Sequence, residues 1–376
     1  VPELVAFDQE PSVELFRAIA HVLDAGNAFC LLDQRLNDHL KRAQLELYRP
    51  TKLIDADGTE HRLSNGLGAE PGDALCCATS GSSGTPKVAV LTKDALIASA
   101  TMTSAALGID PTAHCWLSCL PWAHIGGLTV ALRALFTGTP LEILPHFEAE
   151  AVIKMAEAGR VTHTSLVATA LQRVDPSLFV GILLGGSAPP VGLASNVTTT
   201  YGMTETGSGV VYNNRALPGV QLHVDAETSG LLVKSPTLLR TFRNAPHPLV
   251  VGPDGSDGWL QTGDAGSVSD DGFVTVTGRI DEVIATGGEK VHPNVVERAL
   301  QGISFVSELC VWKRVDPTWG ERVVLFVVPR ESQHLTLEDF APWTDLLAPW
   351  ERPKELVLLS ELPRTPSGKI VRRLLS

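Results

Sequence analysis

The nine residues TSGSSGTPK at 79–87 put five hydroxyls, two glycines and a lysine directly after an apolar run. Glycine lets successive backbone N–H groups turn toward one point, hydroxyls add donors and Lys87 adds a positive charge, so the stretch suits a phosphate-like anion. It lacks the G-x-x-x-x-G-K-[ST] spacing, and no helical pattern begins at its lysine. Residues 87–92 are apolar again, which makes the stretch a hairpin tip; on its own such a loop also fits a plain turn. Arg133 is a second candidate, a cation inside the apolar stretch LTVALRALF at 128–136. A guanidinium there needs a partner. A carboxylate on a bound molecule could serve bidentately, and so could a structural ion pair or an escape to solvent along the side chain.

These residues need a scaffold. Strand-like runs at 74–78, 87–92, 114–120, 140–144, 178–184 and 194–199 alternate with helix-period stretches near 93–107, 127–137, 149–158 and 165–173, the pattern of an α/β fold. From 215 to 278 short β-like runs are cut by Asp254-Gly255, Asp257-Gly258 and Asp271-Gly272, which predicts an antiparallel β unit with tight turns. Beyond Gly278-Arg279 the texture becomes α+β, with Pro293 opening a helix over 293–300 and Gly302 closing it. Two domains are expected, 1–278 and 279–376. Residues 279–376 carry 13 basic and 14 acidic side chains, net −1, against −11 for the remainder. A less acidic small lobe suits an anionic ligand, although ordinary drift in composition gives the same contrast.

With 376 residues, 44% hydrophobic, the chain can fill more than one core. Its formal charge of −12 argues against nucleic acid or anionic lipid as partners, since Lys/Arg patches hold those. No apolar run approaches the ~18–20 residues of a membrane span, and Val1-Pro2-Glu3-Leu4 lacks a signal-peptide start. The six cysteines, at 30, 76, 77, 115, 119 and 310, show neither zinc-site spacing nor the density of a disulfide scaffold. A soluble, cytoplasmic protein is the expectation.

The order TSGSSGTPK resembles the signature loop of the adenylate-forming superfamily, which includes acyl-CoA synthetases, luciferases and peptide-synthetase adenylation domains. Further motifs follow in that family's order: LPWAH (120–124), GGSA (185–188), YGMTE (201–205), GWLQTGD (258–264), GRID (278–281) and PSGK (366–369). The resemblance implies a large N-terminal α/β domain with a β subdomain, plus a small mobile α+β C-terminal domain. It implies ATP, Mg²⁺ and CoA as the small molecules used.

Residue by residue, the resemblance implies that Thr79, Ser80, Gly81, Ser82, Ser83, Gly84, Thr85 and Lys87 cradle phosphates. Gly186, Ser187 and Ala188 would face adenine opposite Tyr201, with Gly202 and Met203 beside it. Thr204 would donate to the α-phosphate, and Glu205, a hard oxygen ligand, would hold Mg²⁺. Asp264 would accept from the ribose hydroxyls and Arg279 would reach ribose or phosphate. Lys369 would bridge the carboxylate oxygen and α-phosphate, where charge develops as the acyl phosphate bond forms. Asp281 would be the hinge, after which Gly287, Gly288 and Lys290 swing in along the CoA path; a glycine pair also suits a hairpin turn.

No acidic residue stands in PWAHIGG (121–127), which disfavours an α-amino acid substrate. The His124/Arg133 pairing and the stretch VTHTSLVATALQR (161–173) look like the o-succinylbenzoate–CoA ligases, whose substrate is an aromatic dicarboxylate. This implies an acid pocket of His124, Arg133, Ser165, Gly207 and Ser208, with Arg133 on the second carboxylate and His124 at the acyl pocket or thiol tunnel. Another aryl acid–CoA ligase, or an enzyme loading a carrier protein, stays open, as does a homodimer. Residues before 70 are shorter than in typical members, so part of the N-terminal subdomain is expected to be missing.

Overall fold

The computed structural model describes residues 1–79, 86–331, 334–364 and 370–375. They divide into two compact units, one of residues 1–223, 232–261 and 270–274, the other of residues 224–231, 262–269 and 275–376.

The first unit contains two seven-stranded sheets. One runs in the order Thr241–Phe242, Val88–Thr92, Asp73–Ala78, Ala28–Leu31, Leu4–Phe7, Lys52–Ile54, Glu60–Arg62. The other runs Arg215–Ala216, Ser208–Tyr212, Val197–Met203, Gly181–Leu184, His163–Leu166, Trp116–Ser118, Leu141–Ile143. Helices Lys93–Ala106 and Ile125–Thr137 pack on each other; the first touches strands of both sheets. Thr92 caps the first helix by accepting from the Ala95 N–H, and Gly138 ends the second at φ 68°.

Two expectations change, and the first 70 residues hold strands that the sequence reading did not place. Strands Leu4–Phe7 and Ala28–Leu31, each buried throughout, pair in parallel and complete the first sheet, flanked by helices Val13–Asp24 and Asp38–Tyr48. The stretch expected as a helix at 165–173 is strand His163–Leu166 followed by the short helix Ala168–Leu171, because Ser165 and its neighbours pair with Gly181–Leu184. The run at 178–184 becomes a strand only from Gly181, since Asp175 caps a 3₁₀ turn at Pro176–Leu178.

The β-rich stretch contains strands Gln221–Val224, Gly230–Lys234, Thr241–Phe242, Leu249–Val250, Trp259–Val268 and Val274–Arg279, its residues divided between the units. Its Asp-Gly turns are borne out: Gly255, Gly258 and Gly272 lie at φ 74°, 92° and 80°.

The second unit carries a sheet in the order Glu289–Val291, Ile284–Thr286, Gly320–Pro329, Val306–Asp316, with Glu355–Leu358 parallel to Gly320–Pro329. Helix Pro293–Ala299 packs on Val306–Asp316, starting at the predicted proline; Ile284, Val296, Val311 and Phe340 are among the residues of its core. Among the described residues no helix is long and apolar enough to cross a membrane.

Candidate active site

In the second sheet of the first unit, strands Trp116–Ser118, His163–Leu166, Gly181–Leu184 and Val197–Met203 are parallel and in register, Leu184 lying level with Leu166 and Thr199. The segments leaving their carboxyl ends therefore emerge on one edge, the edge at which α/β sheets bind ligands. They are residues 119–124, Gly185–Ala188 and the turn from Thr204, with Ser165 and Tyr201–Met203 near the carboxyl ends of their own strands. Gly186 turns at φ 88°, and Ser187 and Ala188 are exposed beyond it.

The strand Asp73–Ala78 reaches the same region. It forms an antiparallel hairpin with Val88–Thr92, Ala78 opposite Val88, and the Thr79 N–H donates to the Lys87 carbonyl at 2.7 Å. This is the hairpin read from the sequence, with Thr79 and Lys87 at its base. Ser80, Gly81, Ser82, Ser83, Gly84 and Thr85 lie outside the described residues, as does Lys369.

Cys77, on the inner strand, links the motifs. Its Sγ is 3.9 Å from the Ala123 carbonyl, next to His124. Burial, and then the negative charge of Glu205, push its thiol up to about 12. The turn that carries Glu205 packs against strand Val88–Thr92, the outer strand of the hairpin. Its motif is tightly built: a Cβ on Gly202 would lie 2.1 Å from the Ser208 carbonyl, so strands Val197–Met203 and Ser208–Tyr212 require glycine there. The Met203 N–H donates to Thr206 Oγ1 at 2.8 Å, and Thr204–Thr206 form a 3₁₀ turn that Gly207 ends at φ 63°. Ser208 follows at φ 127°, a strained backbone for a residue with a side chain, costing of order 1–3 kcal/mol.

Arg133 is only 2% exposed. One η-nitrogen donates to Ser165 Oγ at 3.3 Å; the other donates to Ser208 Oγ at 3.0 Å and Thr129 Oγ1 at 3.2 Å. The guanidinium lies 5.6 Å from the Trp116 ring, and its Nε has no partner. Among the described residues no carboxylate pairs with it. Burial lowers its pKa, with a smaller opposing effect from Tyr212. Ser165, Ser208 and Arg133 are thus brought together as expected, with Thr129 added; the helical repeat Thr129/Arg133 was the signal for it.

His124 opens helix Ile125–Thr137 without capping it. Its partners come from the N-terminal region that the sequence reading left empty: Arg35 Nη2 is 2.5 Å and Asp33 Oδ2 3.3 Å from His124 Nε2. His124 Nε2 thus lies between a guanidinium, which can only donate, and a carboxylate, which can only accept. Asp33 is buried and takes two bonds from the Arg35 guanidinium, at 2.8 and 2.6 Å, and a third from the Arg35 backbone N–H at 3.1 Å. Burial would raise its pKa, but the hydrogen bonds from Arg35, with His124 beside it, hold it well below the carboxylate range.

In the second unit Arg279 lies against Asp264. Its Nη1 is 3.5 Å from Asp264 Oδ1 and donates to the Thr262 carbonyl at 3.0 Å, while Nε donates to Asp281 at 3.0 Å. Gly287 and Gly288, at φ 60° and 88°, make a two-residue hairpin turn between Thr286 and Glu289, which leaves Lys290 exposed on the following strand.

The described residues hold no cluster of three metal-ligating side chains. A single carboxylate, Glu205, fits a Mg²⁺ ion delivered on nucleotide phosphates, which needs only one or two protein carboxylates.

Residues 17–240 match the family model of AMP-binding enzymes, and residues 295–369 match that of the AMP-binding enzyme C-terminal domain. The chain is 31% identical over 285 residues to the 2-succinylbenzoate–CoA ligase of Lactococcus lactis, an alignment covering 69% of this chain and 61% of that protein. It is 32% identical over 334 residues to the enzyme of the same name from Bacillus cytotoxicus, covering 78% and 68%. Among solved structures, the o-succinylbenzoate CoA synthetase MenE of Bacillus subtilis with its OSB-AMP intermediate matches 99% of this chain and 88% of its own, with a TM-score of 0.86 and 24% identity. ATP-bound MatB from Rhodopseudomonas palustris matches 100% and 88%, at 0.85 and 22%. At these identities the structures show a shared fold.

Proposed function

The chain belongs to the AMP-binding enzymes, and from that premise we propose that it is an ATP-dependent acid–CoA ligase acting on o-succinylbenzoate. The observation that carries the acid is Arg133, a buried cation whose partners at the carboxyl edge are hydroxyls. The relatives named for 2-succinylbenzoate support the same choice.

In the first half-reaction a carboxylate oxygen attacks the α-phosphorus of ATP, the bond to pyrophosphate breaks, and an acyl adenylate forms. Thr79, Lys87 and the residues between them hold the phosphates, and Thr204 donates to the α-phosphate. Tyr201 and the turn at 186–188 hold adenine, and Asp264 with Arg279 binds the ribose side. Glu205 would hold a Mg²⁺ ion, which would supply charge neutralisation. Lys369 stabilises charge developing on the bridging oxygens. In the second half-reaction the CoA thiolate attacks the acyl carbon and AMP leaves with its electron pair. Residues 279–376 form the small domain, Asp281 is its hinge, and Gly287, Gly288 and Lys290 line the thiol path.

Ser165 and Ser208 accept from Arg133 and so keep their own O–H groups for the substrate's second carboxylate, with Gly207 and His124 beside it. The six free thiols suit a reducing compartment, the cytoplasm.

The test is pyrophosphate release with Mg-ATP across carboxylic acids, with and without CoA. Release with o-succinylbenzoate and a CoA thioester by mass spectrometry is expected. Release only with a benzoate lacking the second carboxylate would overturn the acid, and thioester only on a carrier protein would overturn CoA.

A further inference from the structure

The segment Arg240–Asn244 lies about 150 positions downstream of the phosphate loop, yet it runs along the loop's outer strand. Thr241 and Phe242 pair with Val90 and Ala89, the Arg240 N–H donates to the Val90 carbonyl, and the Arg243 N–H donates to the Val88 carbonyl, both at 2.8 Å. Both ends of the segment are anchored. Arg240 donates to both oxygens of buried Asp73, at 2.8 and 3.0 Å. Arg243 donates to the carbonyls of Tyr48, Arg49, Leu67 and Gly68.

Between and beyond these anchors, two side chains face the end of the loop. Asn244 Oδ1 accepts from the Val88 N–H at 2.9 Å, and its Nδ2 donates to the Pro86 carbonyl at 3.0 Å. A carbonyl only accepts and an N–H only donates, so the partners fix the amide's orientation. The side chain therefore bonds the backbone on both sides of Lys87. The Phe242 ring lies 5.2 Å from the Lys87 ammonium, within cation–π range. Thr79 completes the grip by donating to the Lys87 carbonyl.

We propose that Asn244 and Phe242 are positioning residues for Lys87: the amide fixes its backbone and the ring its ammonium, so that the cation is preset for the β- and γ-phosphates. This rests on the reading of residues 79–87 as a phosphate loop. Because those phosphates leave as pyrophosphate, the grip matters in adenylation and not in thiol transfer. A merely structural role would affect both steps alike.

The experiment measures both half-reactions in the full chain: pyrophosphate release as a function of ATP, and thioester formation from chemically supplied o-succinylbenzoyl adenylate. Asn244→Ala is expected to lower kcat/KM for ATP by at least about tenfold, two hydrogen bonds being lost. Asn244→Asp keeps the acceptor, loses the donor, and should fall between. Phe242→Leu should cost about two- to fivefold, with Phe242→Tyr restoring the wild-type value because it keeps the ring. Transfer from the supplied adenylate should stay within twofold throughout. Unchanged ATP kinetics in folded Asn244→Ala, or equal losses in both half-reactions, overturns the proposal. Wild-type enzyme that releases no pyrophosphate with any acid overturns the functional reading instead.

Discussion

Arg133 donates to Ser208 Oγ at 3.0 Å from a position where the guanidinium is almost wholly buried and meets hydroxyls in place of a carboxylate. A buried charge without a counter-ion costs stability, and apolar replacements of similar volume are often neutral or stabilising. The strained φ of Ser208 adds to that cost at the same spot. Two features that cost the fold stability are thus in contact, as the binding role proposed for Arg133 requires.

Arg133→Met tests this directly. The variant should melt no lower than the wild type, while KM for o-succinylbenzoate rises at least about tenfold, the loss of one charge-assisted contact, and KM for ATP stays within twofold. Thermal melting and steady-state kinetics read the two effects separately. A lower melting temperature with an unchanged acid KM would make Arg133 structural.

Lys369→Ala should reduce adenylate formation by about 10²–10³, the usual loss for one transition-state donor. Thioester formation from supplied acyl adenylate should be largely spared, since the role proposed for the lysine is confined to formation of the acyl phosphate bond. Rapid-quench assays of each half-reaction measure this. Equal loss in both would remove the assignment of one lysine to one step.

Much of this architecture was legible where local chemistry is decisive. The apolar runs on either side of residues 79–87 foretold the hairpin, and Asp-Gly pairs foretold the turns at Gly255, Gly258 and Gly272. The first 70 residues were not legible because Leu4–Phe7 and Ala28–Leu31 are buried on both faces and so show no alternation. The partners of His124 were lost with them: Asp33 and Arg35 follow directly on that buried strand, some 90 positions away. Nor does any local pattern tie Asn244 to Pro86 and Val88; only the pairing of Thr241–Phe242 with Val88–Thr92 brings them together.

His163 gives the fold a defined acid sensitivity. It is buried beside His114, with ring centroids 4.7 Å apart, and near Trp116. Burial, and then the neighbouring His114, lower its pKa to about 4. An unfolded imidazole titrates near 6.5. Between these values the unfolded chain binds a proton that the folded chain refuses, so stability falls as pH drops from about 6.5 toward 4. His163→Gln should flatten that slope. Urea midpoints at pH 7, 6, 5 and 4.5 measure it, and an unaltered slope would assign the sensitivity elsewhere.

Gly263 should tolerate no side chain, for two independent reasons. Its φ is 73°, which glycine adopts freely and alanine does not, at a cost of about 1 kcal/mol or more. An added Cβ would also lie 2.8 Å from Arg279 Nη2 and 3.0 Å from Nη1. That guanidinium is tethered by the Thr262 carbonyl and Asp281, so it can retreat only by giving up those bonds, and its approach to Asp264 goes with them. Gly263→Ala should therefore lower the melting temperature by a few degrees. It should also raise KM for ATP more than KM for the acid, because the pair it disturbs is the one assigned to the ribose. Gly258, also at positive φ but with nothing within 4 Å of an added Cβ, is the control: alanine there should cost stability alone. If both variants shift ATP binding equally, the contact between Gly263 and Arg279 has no part in it.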